Sequence, residues 1–271
     1  MQKVFSFLVL LFLFCQLQAQ KKEKTYLTIE QALKDPTHVV ILNLKGQGIR
    51  VLPDDIIKLV NLEQLDLSYN AFTSIPPQVF RLSKLKTLNL NNNAISELPN
   101  MKALHNLTTL RLDVNPFTNP VAELKKVADI ASLSSLNFSA NKVTAFPEEL
   151  LKMANLSELD LGYGNIKTLP ANIDKLQNLK RLVLTKNLIT TFPAAFFKLP
   201  KLENLDLSYN DFKVLQPEFA NLHLNVLDIS FNKSLTAIPP IKDIRYANVK
   251  NTKVDVEKLK WALGEGCMIM N

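Results

Sequence analysis

The chain is predicted to fold as an α/β structure: a curved solenoid of about ten coils. A parallel β-sheet lines its concave face, and short helical or extended arms cover its convex face. Three observations carry this expectation. Residues 62–70 read LEQLDLSYN and residues 202–210 read LENLDLSYN, eight of nine letters the same across 140 residues. The frame L-x-x-L-x-L-x-x-N recurs throughout the chain at steps of 22 to 26 residues. A second frame, an apolar residue followed by proline, falls in most units, as at Leu52-Pro53, Leu98-Pro99 and Phe192-Pro193. A fixed period in this range marks a stack of small units that share one continuous core.

The strong frames end at Asn70, Asn93, Asn115, Asn141, Gly164, Asn187, Asn210 and Asn232. Weaker units, VVILNLKGQ ending at Gln47 and IRYANVKNT ending at Thr252, flank them. Within a frame, apolar and polar positions alternate as in a strand with one buried face. Leu65 and Leu67 are expected to point inward, and Gln64, Asp66 and Ser68 outward. An asparagine carboxamide both donates and accepts, so Asn70, Asn93, Asn115, Asn141, Asn187, Asn210 and Asn232 are expected to form a structural ladder that ties neighbouring loops. The proline then starts a return arm on the outer face. Strands in such a stack lie about 4.8 Å apart, so ten give an inner arc on the order of 45 Å. Tighter packing on the strand side than on the outer side curves the stack.

These frames resemble the leucine-rich repeat family, specifically its typical class of about 23 residues per repeat, over roughly residues 25–271. The resemblance implies recognition through the concave face and leaves the ligand open. It also implies a bacterial exported member, because the cysteine caps of many animal and plant ectodomains of the family are missing.

The ends should be capped. In TYLTIEQALKDP, residues 25–36, Thr28 and Gln31 form a capping-box pattern and Pro36 stops the helix. Near the other end, Asp255 is an N-cap and Val256, Leu259 and Leu263 share one face. CMIMN, residues 267–271, offers one last strand, with Cys267 as a small buried apolar residue rather than a reactive thiol. The one long step, 26 residues, holds NPFTNPVAELKKVADIASL, residues 115–133. Asn119 as a cap and Pro120 in the first turn predict an extra helix there, bulging over residues 116–132.

Before the repeats, Met1 to Lys3 is a short positive start and Val4 to Phe14 an apolar run too short to span a bilayer. The expected organisation is a signal peptide over 1–19, a tail and helical cap over 20–38, repeats over 39–252 and a helical cap over 253–271. Export to the periplasm, outer surface or medium follows. Cys15 offers lipid anchoring, but Phe14 is bulky where a lipoprotein signal wants a small residue. Cleavage leaves Cys267 as the single cysteine, so no internal disulfide can form.

The formal net charge is +7, yet the central outward strand position carries Asp66, Asp160, Asp206 and Asp228 with one cation, Arg111. The next position, which includes Asp113, Gly162 and Thr185, is expected to be exposed as well. The residue before the terminal Asn is aromatic at Tyr69, Tyr163, Tyr209 and Phe231. The inner face is therefore expected to be acidic to neutral with an aromatic edge, and the positive charge to sit on the outer coils. A nucleic-acid binder needs a basic groove, so that class is excluded. The candidate ligand-binding residues are Asp66, Tyr69, Arg111, Asp113, Asp160, Tyr163, Arg181, Asp206, Tyr209, Asp228 and Phe231. Arg181 joins them because tyrosine with arginine is the usual composition of a binding hot spot.

No catalytic residue, metal site or cofactor is expected. His38, His105 and His223 fall on separate coils, the nearest pair on the order of 15 Å apart. Asp206 and Asp228 are neighbours, but no apolar surround is evident that would raise a carboxyl pKa. The reading is a monomeric, non-enzymatic module that binds a protein or peptide through its concave face. The alternatives are a structural or adhesive envelope protein, or an intracellular signalling scaffold if the leader is not cleaved.

Overall fold

The structure, a computed structural model, describes residues 23–264 and 266–271. The leader expected over 1–19 lies outside the described residues. Twelve parallel strands form one open sheet in strict chain order. They are β1 (Thr25–Tyr26), β2 (Ile41–Asn43), β3 (Gln64–Asp66), β4 (Thr87–Asn89), β5 (Thr109–Arg111), β6 (Ser135–Asn137), β7 (Glu158–Asp160), β8 (Arg181–Val183), β9 (Asn204–Asp206), β10 (Val226–Asp228), β11 (Tyr246–Asn248) and β12 (Met268–Met270). The ten expected coils carry β2 to β11. The fold is a curved leucine-rich-type solenoid.

Register follows the leucines. Leu42, Leu65, Leu88, Leu110 and Leu136 sit opposite one another in successive strands, and the row continues through Leu159, Leu182, Leu205 and Leu227. All are buried, as are the second inward leucines such as Leu67, Leu90 and Leu207. Burying each such side chain stabilises by about 1.5–3 kcal/mol. On the convex side the arms tighten into 3₁₀ turns, among them Asp54–Lys58, Pro77–Arg81, Glu148–Lys152 and Ala194–Lys198. Phenylalanines fill the convex core of the later coils: Phe192 stacks on Phe196 at 4.3 Å and lies parallel to Phe212 at 5.6 Å.

The asparagine ladder is present. Asn187 Nδ2 donates to the carbonyls of Leu161 (3.0 Å) and Leu184 (3.1 Å), and its Oδ1 accepts from the Ile166 N–H at 2.9 Å. Asn70, Asn93, Asn115, Asn141, Asn210 and Asn232 bond one coil to the preceding one in the same way. At Gly164 the side-chain rung is missing, while the backbone bond beside it is kept: Asn165 N–H donates to Val143 C=O at 2.8 Å, as Leu188 N–H does to Ile166 C=O beside Asn187.

The expected N-terminal helix is shorter than the 25–36 segment. Thr25 and Tyr26 instead pair with Ile41 and Leu42 as β1, because Tyr26 is apolar enough to join the core. Helix α1 spans Ile29–Leu33, and the Thr28 side chain accepts from the Gln31 N–H at 3.1 Å. Pro36 opens a 3₁₀ turn rather than only ending the helix. The insertion forms α2 (Pro120–Val127), capped by Asn119 through the Ala122 N–H. Glu123 is 4% exposed. Its carboxylate accepts from the Leu98 N–H at 2.6 Å, and Lys126 Nζ bonds both that carboxylate and the Leu98 carbonyl. The insertion is thereby fastened to the preceding coil. Gln78 and Gln216 reach back to Leu52 and Phe192 in the same manner.

At the far end, Asp255 caps α3 (Val256–Leu263) by accepting from the N–H groups of Glu257 and Lys258. Leu259 and Leu263 are buried, while Trp261 is 92% exposed. Cys267 is half-buried against the core rather than fully buried, and that burial raises its thiol pKa. Among the described residues no helix is long and apolar enough to cross a membrane.

Candidate ligand-binding face

Each of β2 to β12 is three residues long, so the alternation read from the sequence stops one position earlier than expected. The chain turns directly after the central outward residue, and that residue caps the turn. Asp66 Oδ1 accepts from the Ser68 N–H at 2.8 Å, Asp160 Oδ1 from Gly162 at 2.9 Å, Asp206 Oδ1 from Ser208 at 2.9 Å and Asp228 Oδ1 from Ser230 at 3.0 Å. Asn43, Asn89, Asn137 and Asn248 make the same bond two residues on. The column of Asp and Asn is therefore a ladder of local side-chain turns as well as a charged surface. Arg111 and Val183 break it.

The following position is corrected from exposed to buried in most inner coils, is half-buried at Ser139 and Thr185, and is exposed as expected at Lys45 and Lys250. Ser68, Asn91, Asp113, Ser208 and Ser230 are all below 8% exposure. Asp113 is consequently no free ligand-binding group. Its carboxylate is held by Arg111 Nε at 3.3 Å and by Asn91 Nδ2 at 3.2 Å. Val183, on the central row, is buried too.

One oxygen of every central aspartate is thus spent on the turn. The second is also occupied at Asp66, which accepts from Asn89 Nδ2, and at Asp228, which accepts from Asn248 Nδ2. Asp160 and Asp206 keep their second oxygens free of hydrogen bonds among the described residues. They flank Val183 on the central row, since Val183 pairs with both. Burial raises both carboxyls above the ordinary range, against turn hydrogen bonds that lower them. Like-charged neighbours, Asp113 for Asp160 and Asp228 for Asp206, raise them further, and Arg181 works in the opposite direction. The expectation that nothing would raise a carboxyl of the Asp206–Asp228 pair is corrected at Asp206, where burial of the side chain supplies the desolvation.

Arg181 is the centre of this region. It forms a wall of two adjoining hollows on the strand face. One is shared with Arg111, Asn137, Glu158 and Asp160. The other is shared with Val183, Asp206, Asp228 and Tyr246. Five predicted residues, Arg111, Asp160, Arg181, Asp206 and Asp228, are therefore brought together. Asp66 lies towards the N-terminal end with its carboxylate committed. Tyr69 and Tyr163 stand apart on the rim, under Lys45 Nζ (4.8 Å from the ring centre) and Lys186 Nζ (5.1 Å) respectively. Tyr209 and Phe231 stack at 4.1 Å with planes 7° apart.

Glu158 and Tyr246 were not foreseen. They occupy the first strand position, the column from which Arg181 was chosen, and reading that column in full exposes them. Lys186 was not foreseen either; with Lys45, on the exposed column after the Asp and Asn row, it brings part of the positive charge to the border of the concave face instead of only the outer coils. Among the described residues no group of three or more His, Cys, Asp or Glu side chains could hold a metal ion.

Two family models match the chain. One, described as leucine rich repeat, covers residues 155–212, and one described as leucine-rich repeat region covers residues 1–134. Together they span well over half of the sequence, and the chain belongs to the leucine-rich repeat family. No curated protein matches it in sequence. Among solved structures it is similar to an internalin (inlF) from Listeria monocytogenes, 22% identical with a TM-score of 0.66, covering 88% of this chain and 68% of that one. The plant peptide hormone receptor RGFR1, solved in complex with RGF2, is 22% identical with a TM-score of 0.61, over 93% of this chain and 46% of that one. TLR13, solved as a complex with ssRNA13, is 27% identical with a TM-score of 0.62, over 78% of this chain and 32% of that one. The chain spans less than half the length of either of the last two.

Proposed function

We propose that this protein is a non-enzymatic recognition module that binds a protein or peptide through the concave face of β5 to β11. The observation that carries the reading is the constellation Asp160, Arg181 and Asp206. Two half-buried carboxylates with unused oxygens flank a cation, and a hollow opens on each side of it. Such a surface suits a chain that presents charges of both signs at residue-scale spacing, which is the chemistry of a peptide. Most family members are binding scaffolds rather than enzymes, and RGFR1 was solved with RGF2 bound. Both support the reading.

The test is capture of one partner, identified and purified, by full-length protein and by the D160N/D206N variant. Asparagine keeps the turn acceptor while removing the charge, so the fold is spared. Loss of the partner in this variant, with retention in Asp55→Asn on the outer arm, is expected. Equal capture by both overturns the concave-face reading.

Export is part of the same proposal and rests on the apolar run Val4 to Phe14 behind Lys3. N-terminal sequencing of protein from its native cell should find the chain starting near residue 20. An intact Met1 favours the intracellular scaffold instead.

A further inference from the structure

We propose that the rim hollow at the open end of the Tyr209–Phe231 stack binds a planar ring that carries a carboxylate, as an aromatic C-terminal residue of a peptide does. The peptide setting rests on the recognition role proposed above; the ring-and-anion chemistry rests on the rim itself.

The residue before the last position of each repeat frame adopts left-handed backbone in coil after coil. Tyr209 has φ 54°, Phe231 φ 58° and Asn251 φ 56°. Equal backbone on parallel coils sends the three side chains off in the same direction. Two of them are rings, parallel and 4.1 Å apart, close to the roughly 4.8 Å strand spacing. The third place in the row falls to Asn251, which has no ring. There the stack ends and a hollow opens, lined by Tyr209, Phe231, Lys233, Asn251 and Thr252. A flat ring entering the hollow extends the stack by one place.

The polar lining fixes the charge of the occupant. Thr252 Oγ1 is already engaged, donating to the Val249 carbonyl at 2.7 Å. Lys233 takes part in none of the ion pairs among the described residues. An unpaired ammonium beside aromatic faces disfavours a cation and favours an anion, and a charge-assisted bond to a carboxylate is stronger than one to a neutral amide. Asn251 leaves a carboxamide to meet either the carboxylate or the peptide group before it. The acidic strand floor lies beside this rim, so the pair of surfaces discriminates between the two ends of a dipolar chain.

The experiment titrates the full chain with N-acetyl-glycyl-phenylalanine and, separately, with its C-terminal amide, following the tyrosine ring resonances by NMR. Saturable shifts with the acid are expected, with the amide about tenfold weaker, a difference of about 1.4 kcal/mol. Lys233→Met, at an exposed position, should bring the acid down to the affinity of the amide. Phe231→Ala should weaken both. The D160N/D206N variant should bind the acid as the parent does, so failure of the concave-floor reading and failure of this one are told apart. Equal binding of acid and amide, no saturable shift, or tighter binding of uridine monophosphate than of the acid each overturns the proposal.

Discussion

Gly164 stands where every neighbouring coil carries a ladder asparagine, and Asn187 of the next coil closes over it. A Cβ on Gly164 would lie 2.7 Å from Asn187 Oδ1 and 2.7 Å from the Val143 carbonyl oxygen. The missing rung is thus a close approach, not a vacancy that asparagine could fill. Gly164→Ala is expected to destabilise by about 1–3 kcal/mol through overpacking. Asn187→Ala should cost a similar ~1–3 kcal/mol, because it strips partners from Leu161, Leu184 and Ile166. In the double variant the shortened side chain at 187 removes the Oδ1 contact and leaves the one with the Val143 carbonyl, so the two losses should fall partly short of their sum. Urea denaturation of the four proteins checks this, and simple additivity would contradict the contact.

Asp206 gives a second separation. Its Oδ1 accepts from both the Ser208 N–H (2.9 Å) and the Ser208 hydroxyl (2.6 Å). Asp206→Asn preserves an acceptor at that point and should change stability by less than about 0.5 kcal/mol. Asp206→Ala removes it and should cost about 1 kcal/mol. A surface charge with no structural duty would show no difference between the two.

That column also shows what the sequence could and could not reveal. The coils, the inward leucines and the terminal asparagines were legible because each recurs with one residue type. The turn column was not, because Asp and Asn share it and were read as charge and polarity. Their common feature, a side-chain oxygen two residues before an N–H, was the available signal. The burial of Ser68 and Asp113 was hidden for a related reason: a period-2 pattern does not say where a three-residue strand stops. Glu123 was unreadable from local pattern, since its partner Leu98 lies in another coil. The Asp160–Arg181–Asp206 site was half legible. Its residues were named, but their unused oxygens depend on which neighbours take up the others.

The raised carboxyls set a pH dependence. A carboxyl whose folded pKa lies above its unfolded value binds more protons folded than unfolded in the interval between them. Stability associated with Asp160 and Asp206 therefore falls as pH rises through the window just above the ordinary carboxylate value. The D160N/D206N variant lacks this loss. Its stability relative to the parent should rise across that window and level off above it, as read from thermal melts at a series of pH values. A constant difference would mean the two groups titrate alike in both states.

Val114 is β-branched, exposed, and held at φ 57°. Left-handed backbone is costly for such a side chain, of order 1–3 kcal/mol. Asparagine tolerates this conformation and already occupies the equivalent place one coil earlier, at Asn92 with φ 55°. Val114→Asn is accordingly expected to stabilise by about 0.5–1 kcal/mol. The midpoint of a urea transition should move up with an unchanged slope.

The helical insertion is held by chemistry that can be dissected at one side chain. Glu123 Oε2 accepts from the Leu98 N–H at 2.6 Å, just before Pro99. Lys126 Nζ then joins the Leu98 carbonyl (2.8 Å) to the same carboxylate (3.1 Å). Glu123→Ala strands a buried N–H and leaves Lys126 without its counter-charge, at a cost of about 2–3 kcal/mol. Glu123→Gln keeps an acceptor for Leu98 but loses the ion pair, and should cost less than half as much. Lys126→Met, which removes only the half-exposed ammonium, should cost less than Glu123→Ala. If the N–H of Leu98 is the dominant partner, its amide hydrogen exchange should accelerate in Glu123→Ala and stay slow in both Glu123→Gln and Lys126→Met. Acceleration in all three would instead assign the fastening to the lysine bridge.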